Sequence, residues 1–171
     1  MQAALRKIYK NWVLLAIAMK ILLIIIAAKY LIALPIVIAG ILLFTAWPTV
    51  RKQAVTFGAI AGILSYATAK VAGLLYFDAR PFVVSHVAPL IPHAADNGFP
   101  SDHTLLAAVI AAVITKYNWR LGIILWILAL LIGATRVLAD LHHPIDILGS
   151  LVIAGLVTWF TFSEIGKRIN V

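Results

Sequence analysis

Two polar segments, Asp78-Ala79-Arg80-Pro81 and Phe99-Pro100-Ser101-Asp102-His103, lie in the middle of a chain that is otherwise strongly apolar. The stretch from Asp78 to His103 contains three of the six acidic residues and three of the five histidines. A second polar stretch, Thr135 to Asp146, contains two more acids and the other two histidines. Of the acidic residues and histidines, only Glu164 lies outside these two stretches. We therefore expect the two stretches to meet at one site that the apolar segments hold in place.

The composition is that of a membrane protein. The chain has 171 residues, of which 64% are hydrophobic and 12% charged, whereas soluble domains are about 45–50% apolar. A spanning helix needs about 20 residues, and the apolar runs lack the alternation of membrane strands. The sequence predicts an all-α, polytopic membrane protein with six transmembrane helices and one domain covering residues 1–171.

The predicted helices are bounded by turn and polar residues. Pro48 is expected to end the second helix, and the fourth and fifth are short for a full crossing. A stripe of small residues on the third helix predicts close approach of its neighbours and a central position. The stripe contains Gly58, Gly62, Ser65, Ala69 and Ala72. The helices cover approximately residues 11–28, 31–47, 53–77, 102–117, 121–134 and 144–162.

The net charge of +8 is explained by topology and by anionic lipid, because its basic residues lie at the ends of apolar spans. No nucleic acid partner is expected. When six helices are threaded in order, nine of the 14 basic residues gather on one side, which the positive-inside rule makes cytoplasmic. Both termini then face the cytoplasm, and the site faces outward from the plasma membrane. The residues on the basic side are Arg6, Lys7, Lys10, Arg51, Lys52, Lys116, Arg120, Lys167 and Arg168.

The first polar stretch and Arg136 suggest an anion site. Arg80 and Arg136 can each donate two parallel hydrogen bonds to phosphate oxygens. Ser101 is placed to cap a helix whose first N–H groups and dipole favour phosphate. Alternatively, each arginine pairs with an acid, Asp78 or Asp140, and Ser101 is an ordinary cap.

The second polar stretch suggests an oriented histidine. Pro144 suits the first position of a helix, and His142 and Asp146 are four residues apart, so the carboxylate can hold one imidazole nitrogen and leave the other free. A metal bound by His142, His143 and Asp146 is the alternative. We expect no metal, because the nearby arginines would repel a cation.

Together these residues resemble the three-part signature of the type-2 phosphatidic acid phosphatase superfamily. The parts are Arg80-Pro81, Pro100-Ser101-Asp102-His103, and Thr135-Arg136 followed by His142 and Asp146. The likeness covers residues 70–146. The segment from Leu90 to His103 is also similar to the bacterial undecaprenyl-diphosphatase branch, the bacitracin-resistance type, which implies six membrane helices and an outward-facing site.

The resemblance also implies catalytic roles. His142 would attack phosphorus with Asp146 orienting it, and His103 would protonate the leaving oxygen and then activate water. Arg80, Ser101, Arg136 and the amide of Asp102 would hold the phosphoryl group.

Three positions depart from the family pattern. The usual lysine of the first part is Gly73 here, and the nearest lysine, Lys70, is the candidate replacement. Asp102 stands where the superfamily mostly has glycine, and Thr135 replaces the usual serine.

The expected function is hydrolysis of undecaprenyl diphosphate to undecaprenyl phosphate and inorganic phosphate through a phosphohistidine, without a cofactor. This reaction would recycle the carrier lipid of cell-wall synthesis, and the partners would be membrane lipids and the polyprenyl substrate. Two alternatives remain. One is a phosphatase acting on phosphatidylglycerol phosphate or phosphatidate, and the other is a non-enzymatic transporter of lipid or anions.

Overall fold

The computed structural model describes residues 2–165, and all regular structure in that range is helical. The predicted all-helical class is therefore confirmed. Lys167 and Arg168 lie outside the described residues, as does the side chain of Lys7. A single π-helical turn, Thr161–Ile165, follows the last α-helix. The α-helices are α1 (Gln2–Tyr30), α2 (Ala33–Thr45), α3 (Pro48–Leu75), α4 (Pro81–Ser85), α5 (Asp102–Tyr117), α6 (Trp119–Leu138) and α7 (Pro144–Phe160).

The predicted starts of the first and third helices, 11 and 53, were wrong, since α1 begins at Gln2 and α3 at Pro48, and two further predictions about helix ends were also wrong. Pro48 does not end α2, which already stops at Thr45; it begins α3 at a position where a missing N–H costs nothing. The fifth predicted helix was placed at 121–134, but α6 continues to Leu138 and has 20 residues. It includes Arg136 because that side chain is held inside the protein by α1, as described below. The prediction that this helix is short is therefore also wrong.

Helix α5 forms the centre of the bundle. Half of its 16 residues are buried, among them Ala107, Ala108 and Ala111, which are fully buried and allow α3, α6 and α7 to approach closely. Helix α3 contributes a stripe of small buried residues that includes Ala61, Ser65 and Ala69. The predicted stripe thus makes close contacts in part, but the central position belongs to α5.

Four helical segments within residues 2–165 are long and apolar enough to cross a membrane: Tyr9–Thr45, Pro48–Leu75, Trp119–Leu138 and Pro144–Glu164. Tyr9–Thr45 contains most of α1 and all of α2, and α5, with 16 residues, is shorter than a typical span. Large apolar side chains on the outer faces, such as Phe44 and Leu74, are 83% and 86% exposed, as expected for contact with lipid. The chain is a membrane protein, and the count of six crossings stays a prediction.

Both polar stretches lie at one end of the bundle, which we call the cavity end. The C-terminal ends of α1, α3 and α6 meet the N-terminal ends of α5 and α7 there. The loops of basic residues lie at the opposite end, where Arg51 in the first turn of α3 donates to the carbonyls of Phe44 and Ala46. The fold therefore separates the basic loops from the candidate site.

Candidate active site

The turn between α6 and α7 fixes the spacing of the second polar stretch. Asp140 has a positive φ of 58°, the left-handed conformation common just after a helix. Its N–H donates to Val137, and the N–H of Leu141 donates to the carbonyl of Arg136 at 3.1 Å. This is the hydrogen-bond pattern of a Schellman motif. The chain reverses within a few residues, which brings His142 back beside the last turn of α6.

His142 is buried and held at both ring nitrogens. Its Nδ1 lies 2.9 Å from the carbonyl oxygen of Gly98 and 3.1 Å from Oδ2 of Asp146. Since both neighbours are acceptors, Nδ1 carries the proton and Nε2 keeps its lone pair. Nε2 lies 3.3 Å from Nη1 of Arg80, which donates to it. Asp146 is itself fixed, because Oδ2 accepts the N–H of His143 at 2.9 Å.

Arg80 is 5% exposed and is bound to several elements at once. Its Nε donates to Oδ1 of Asp96 at 2.7 Å, and Nη1 donates to the carbonyl of Leu141 at 2.8 Å. The alternative pairing with Asp78 is wrong, since the carboxylate of Asp78 instead lies 3.1 Å from Nδ1 of His143. These contacts join the start of α4 to the α6–α7 turn.

Arg136 is also buried, at 3% exposure. Its Nη1 donates to the carbonyl of Ala28 near the end of α1 at 3.2 Å, and its Nε has no hydrogen-bond partner in the described chain. No ion pair joins it to Asp140 among the described residues, so that alternative is wrong as well. The guanidinium group therefore keeps hydrogen-bonding capacity for an anion.

Asn97 holds the loop before α5 in place, a role that the sequence did not reveal. Its amide nitrogen donates to the carbonyls of Gly73 and Tyr76 at 2.7 and 3.0 Å. Its amide oxygen accepts the N–H groups of Asp78 and Phe99 at 2.9 and 3.0 Å. All the ordinary hydrogen-bonding capacity of this amide is used, and the loop is thereby tied to the end of α3.

The close contact at Gly73 explains the departure from the family pattern. A Cβ atom built there would lie 2.9 Å from the carbonyl oxygen of Phe99, a main-chain atom that cannot easily move. Lysine is therefore excluded at position 73 unless the loop shifts. Lys70, one turn earlier on α3, lines the cavity instead, with Nζ 3.7 Å from the carboxylate of Asp102.

Ser101 is the N-cap residue of α5, but its side chain does not cap the helix. Its hydroxyl accepts a hydrogen bond from Thr104 at 3.2 Å, and its carbonyl accepts one from Ser150 of α7 at 2.9 Å. The prediction that the side chain of Ser101 caps α5 is therefore wrong. Because the side chain leaves the first amides of α5 uncapped, those N–H groups remain available to an anion.

One cavity of about 370 Å³ brings most of the predicted residues together. Ser101 and Asp146 lie behind its wall and are fully buried. His86 and Thr135 do not line it, whereas His93, Asp96 and Asn97 do. The predicted residues that line it are Lys70, Arg80, Asp102, His103, Arg136 and His142.

Two loop residues of the cavity have shifted pKa values. Burial, and then the charge of Arg80, lowers the pKa of His93 below its usual value of 6.5. Burial alone would raise the pKa of Asp96, but its hydrogen bond to Arg80 and the charge of that guanidinium lower it overall. His93 is therefore neutral and Asp96 is ionised at neutral pH.

The set of possible metal ligands differs from the expected one. Ligand atoms of Asp78, His143 and Asp146 lie within 4.8 Å of one another, whereas His142 is not part of this group. Asp78 and His143 are already hydrogen-bonded to each other, with 3.1 Å between Oδ2 and Nδ1. A metal is therefore not needed to explain the arrangement, and the prediction of a metal-free site remains to be tested.

Three comparisons relate the chain to known proteins. The model of the PAP2 superfamily matches residues 53–170. The chain is 38% identical over 135 residues to undecaprenyl-diphosphatase BcrC of Bacillus subtilis, covering 76% of this chain and 70% of that protein. The bacitracin transport permease protein BcrC of Bacillus licheniformis is 30% identical over 115 residues, with coverage of 67% and 57%.

A third relative, the putative undecaprenyl-diphosphatase YbjG of Escherichia coli, is 36% identical over 110 residues, with coverage of 64% of this chain and 55% of that protein. The chain therefore spans little more than half the length of two of these three relatives. The fold is similar to that in the crystal structure of Aquifex aeolicus LpxE, with a TM-score of 0.68 and 23% identity over 84% of this chain and 87% of that one.

Proposed function

Because this chain belongs to the PAP2 superfamily and is a membrane lipid phosphatase, we propose that it hydrolyses undecaprenyl diphosphate to undecaprenyl phosphate and inorganic phosphate. Two relatives bear the name of that diphosphatase or putative diphosphatase. The whole chain, residues 1–171, would form one membrane-embedded domain. The reaction needs no metal or cofactor, since the side chains of the cavity supply a nucleophile, an acid and positive charge.

The observation that carries the proposal is the arrangement of His142. Its Nδ1 is engaged by Gly98 and Asp146, so Nε2 can attack phosphorus from within the cavity. Nε2 forms a bond to the terminal phosphorus while the bond to the bridging oxygen breaks. Asp146 stabilises the positive charge that develops on the ring. The covalent phosphohistidine divides one difficult displacement into two easier steps.

His103, in the first turn of α5, faces the same cavity. In the first step it gives a proton to the departing oxygen, so undecaprenyl phosphate leaves. In the second step it takes a proton from water, which attacks the phosphohistidine and releases inorganic phosphate. One group thus serves as acid and then as base.

The remaining polar groups hold the transferred phosphoryl group. Arg80 and Arg136 approach the cavity from two sides, and Lys70 adds a third positive charge at its rim. The uncapped amides at the start of α5, including that of Asp102, suit the phosphoryl oxygens. Ser101 positions these amides from behind through its contacts to Thr104 and Ser150. Preorganised charge of this kind stabilises a pentacoordinate transition state.

An apolar groove of about 540 Å³ between α2, α3 and α5 supports a long lipid substrate. Its wall on α5 runs from Leu106, one turn from Asp102, to Tyr117 at the far end of the helix, and Asn118 continues it just beyond α5. On α3, Tyr66 and Gly62 continue the row that begins with Lys70 at spacings of four residues. The same faces of two helices thus carry the phosphate cavity and the groove, which would take the polyprenyl chain.

The proposed orientation of the protein in the membrane follows from the distribution of its basic residues. The basic loops lie opposite the cavity end, and the positive-inside rule would place them in the cytoplasm. Both termini would then be cytoplasmic, and the cavity would open at the outer interface of the plasma membrane. This is the side on which a cell-wall carrier lipid would be recycled.

Purified protein in detergent with excess chelator provides the test. We expect release of inorganic phosphate from a polyprenyl diphosphate to exceed release from phosphatidylglycerol phosphate and phosphatidate. Preference for a monophosphate lipid would overturn the substrate assignment. Absence of phosphate release from every lipid, together with lipid or anion movement in vesicles, would favour the transporter instead.

A further inference from the structure

The buried guanidinium of Arg80 has little capacity left for a new ligand. Nε donates to Asp96 at 2.7 Å, and Nη1 faces both the carbonyl of Leu141 at 2.8 Å and His142 at 3.3 Å. Nη2 lies 3.5 Å from the carbonyl of Asn97. Four of the five N–H groups of an arginine are thus directed at partners. A phosphate that binds this group through two parallel hydrogen bonds must replace at least one of them.

The groups that contact the guanidinium of Arg80 differ in how easily a phosphate can displace them. Leu141 and Asn97 contribute main-chain carbonyls, which the surrounding turns hold in place. His142 leaves only when it attacks phosphorus. Asp96 contributes a side chain that is 61% exposed, against 6% for that of Arg80. Its carboxylate can therefore turn into solvent while the guanidinium stays fixed.

From this geometry we propose that Asp96 occupies a phosphate position on Arg80 in the empty site and is displaced by the phosphoryl group of the substrate. The proposal rests on the proposed function and assigns a role to Asp96 within it. A carboxylate and a phosphate present similar oxygens to the Nε and Nη2 side of the guanidinium. The returning carboxylate then competes with inorganic phosphate and helps to expel the product.

This competition gives Asp96 a role in the release of inorganic phosphate. The carboxylate reduces the affinity of the cavity for any phosphate by a constant factor. A lipid substrate can recover that loss through contacts of its apolar chain, whereas inorganic phosphate has no such contacts. Those apolar contacts set the ratio of the two affinities, and the carboxylate lowers product inhibition by weakening the binding of inorganic phosphate.

The test measures binding of inorganic phosphate to the full chain in detergent by titration calorimetry. Asp96→Asn keeps the size of the side chain and removes its charge. We expect its dissociation constant for phosphate to fall by about threefold to fivefold, the range of an exposed ion pair. Inhibition of lipid hydrolysis by phosphate should strengthen by the same factor.

Asp140→Asn is the matched control. It removes the same charge from an exposed position outside the cavity, and asparagine accepts the left-handed backbone conformation of that residue. We expect its affinity for phosphate to equal that of the unmodified protein. An equal gain in both variants would mean that net charge alone is responsible, and the proposal would be overturned.

A second variant, Asp96→Ala, distinguishes a carboxylate that competes with phosphate from one that supports Arg80. If the carboxylate is a competitor, phosphate binds more tightly to this variant too. Unchanged or weaker binding in Asp96→Asn, or weaker binding in Asp96→Ala, would instead make Asp96 a support for Arg80 and overturn the proposal. The calorimetry uses no lipid, so an error in the assigned substrate would leave its result intact.

Discussion

The side-chain amide of Asn97 donates a hydrogen bond of 2.7 Å to the carbonyl oxygen of Gly73, which joins the loop before α5 to the end of α3. The same amide makes three more hydrogen bonds, to Tyr76, Asp78 and Phe99. The next residue, Gly98, supplies the carbonyl that fixes the tautomer of His142. The geometry of the nucleophile thus depends on a neutral side chain that does no chemistry.

We expect Asn97→Ala to lower the free energy of unfolding by about 2–4 kcal/mol, since each of four hydrogen bonds contributes about 0.5–1.5 kcal/mol. Activity should fall with it, because the carbonyl that orients His142 is no longer held. Thermal unfolding in detergent measures the first effect. Ser163→Ala is the control: it removes a single side-chain hydrogen bond, to the carbonyl of Phe160, at a residue that lines neither the cavity nor the groove, and it should leave activity unchanged.

His142→Ala should reduce phosphate release by about 10⁴-fold or more, as for the loss of other covalent nucleophiles. Arg136→Ala should abolish measurable turnover through the loss of transition-state charge stabilisation. Both variants should keep the helical content and melting temperature of the unmodified protein within a few degrees. His86→Asn, at an exposed position outside the cavity, serves as the control. Full activity of His142→Ala would refute the phosphohistidine.

We expect Lys70→Ala to raise the KM for the lipid diphosphate by about tenfold, the effect of losing one charge-assisted contact to phosphate. Adding Gly73→Lys should not restore it, because the new side chain meets the carbonyl of Phe99. Steady-state kinetics of the single and double variants decide the point. Recovery of activity in the double variant would show that the loop can shift and that position 73 is open to lysine.

The sequence predicted those features that side-chain identity and spacing determine. The bounds of α5 agree with the prediction because a proline, a cap residue and a polar turn mark them. Six of the residues that line the cavity were predicted from the sequence because charged residues and histidine are costly in an apolar chain and so indicate a site. The Schellman turn was foreseen only as a spacing, since Asp140 takes a conformation more common for glycine.

The errors come from contacts that side-chain identity does not reveal. The fifth helix was predicted to end at residue 134, before Arg136, yet α6 continues past this residue, whose guanidinium donates to the carbonyl of Ala28 inside the bundle. The carbonyls of Gly98 and Leu141, which orient His142 and Arg80, leave no mark in the sequence. Nothing in the sequence around Asn97 indicates the four hydrogen bonds that its side chain makes.

Gly62→Leu should make the enzyme selective for short lipid chains. A Cβ atom at this position meets no atom within 4 Å, so the added side chain fills the groove without straining the helices. We expect KM to rise for a polyprenyl diphosphate of eleven units and to stay constant for a short isoprenyl diphosphate. Gly40→Leu, which also meets no atom within 4 Å and lies outside the groove, should affect neither. Equal losses for both chain lengths would place the lipid elsewhere.

Lowering the pH should strengthen phosphate binding through His93. Its pKa is lowered by burial and then by Arg80, so the ring is neutral at pH 7.5 and gains its charge only as the pH falls below the usual value of 6.5. The protonated ring adds a positive charge to the cavity, and that charge favours the anion. Wild-type protein and His93→Gln should therefore bind phosphate equally at pH 7.5, and the wild type more tightly at pH 5.

Calorimetric titrations at both pH values give this difference directly. The ionisation of phosphate itself changes with pH in the same way in both experiments. The ratio of the two dissociation constants therefore reports only the charge of the His93 ring. Asp96 remains ionised over this interval, since its own pKa is lowered, and so does not contribute to the change. A ratio that is independent of pH, or an advantage of the wild type already at pH 7.5, would show that His93 acts as an uncharged hydrogen-bonding group rather than through its charge.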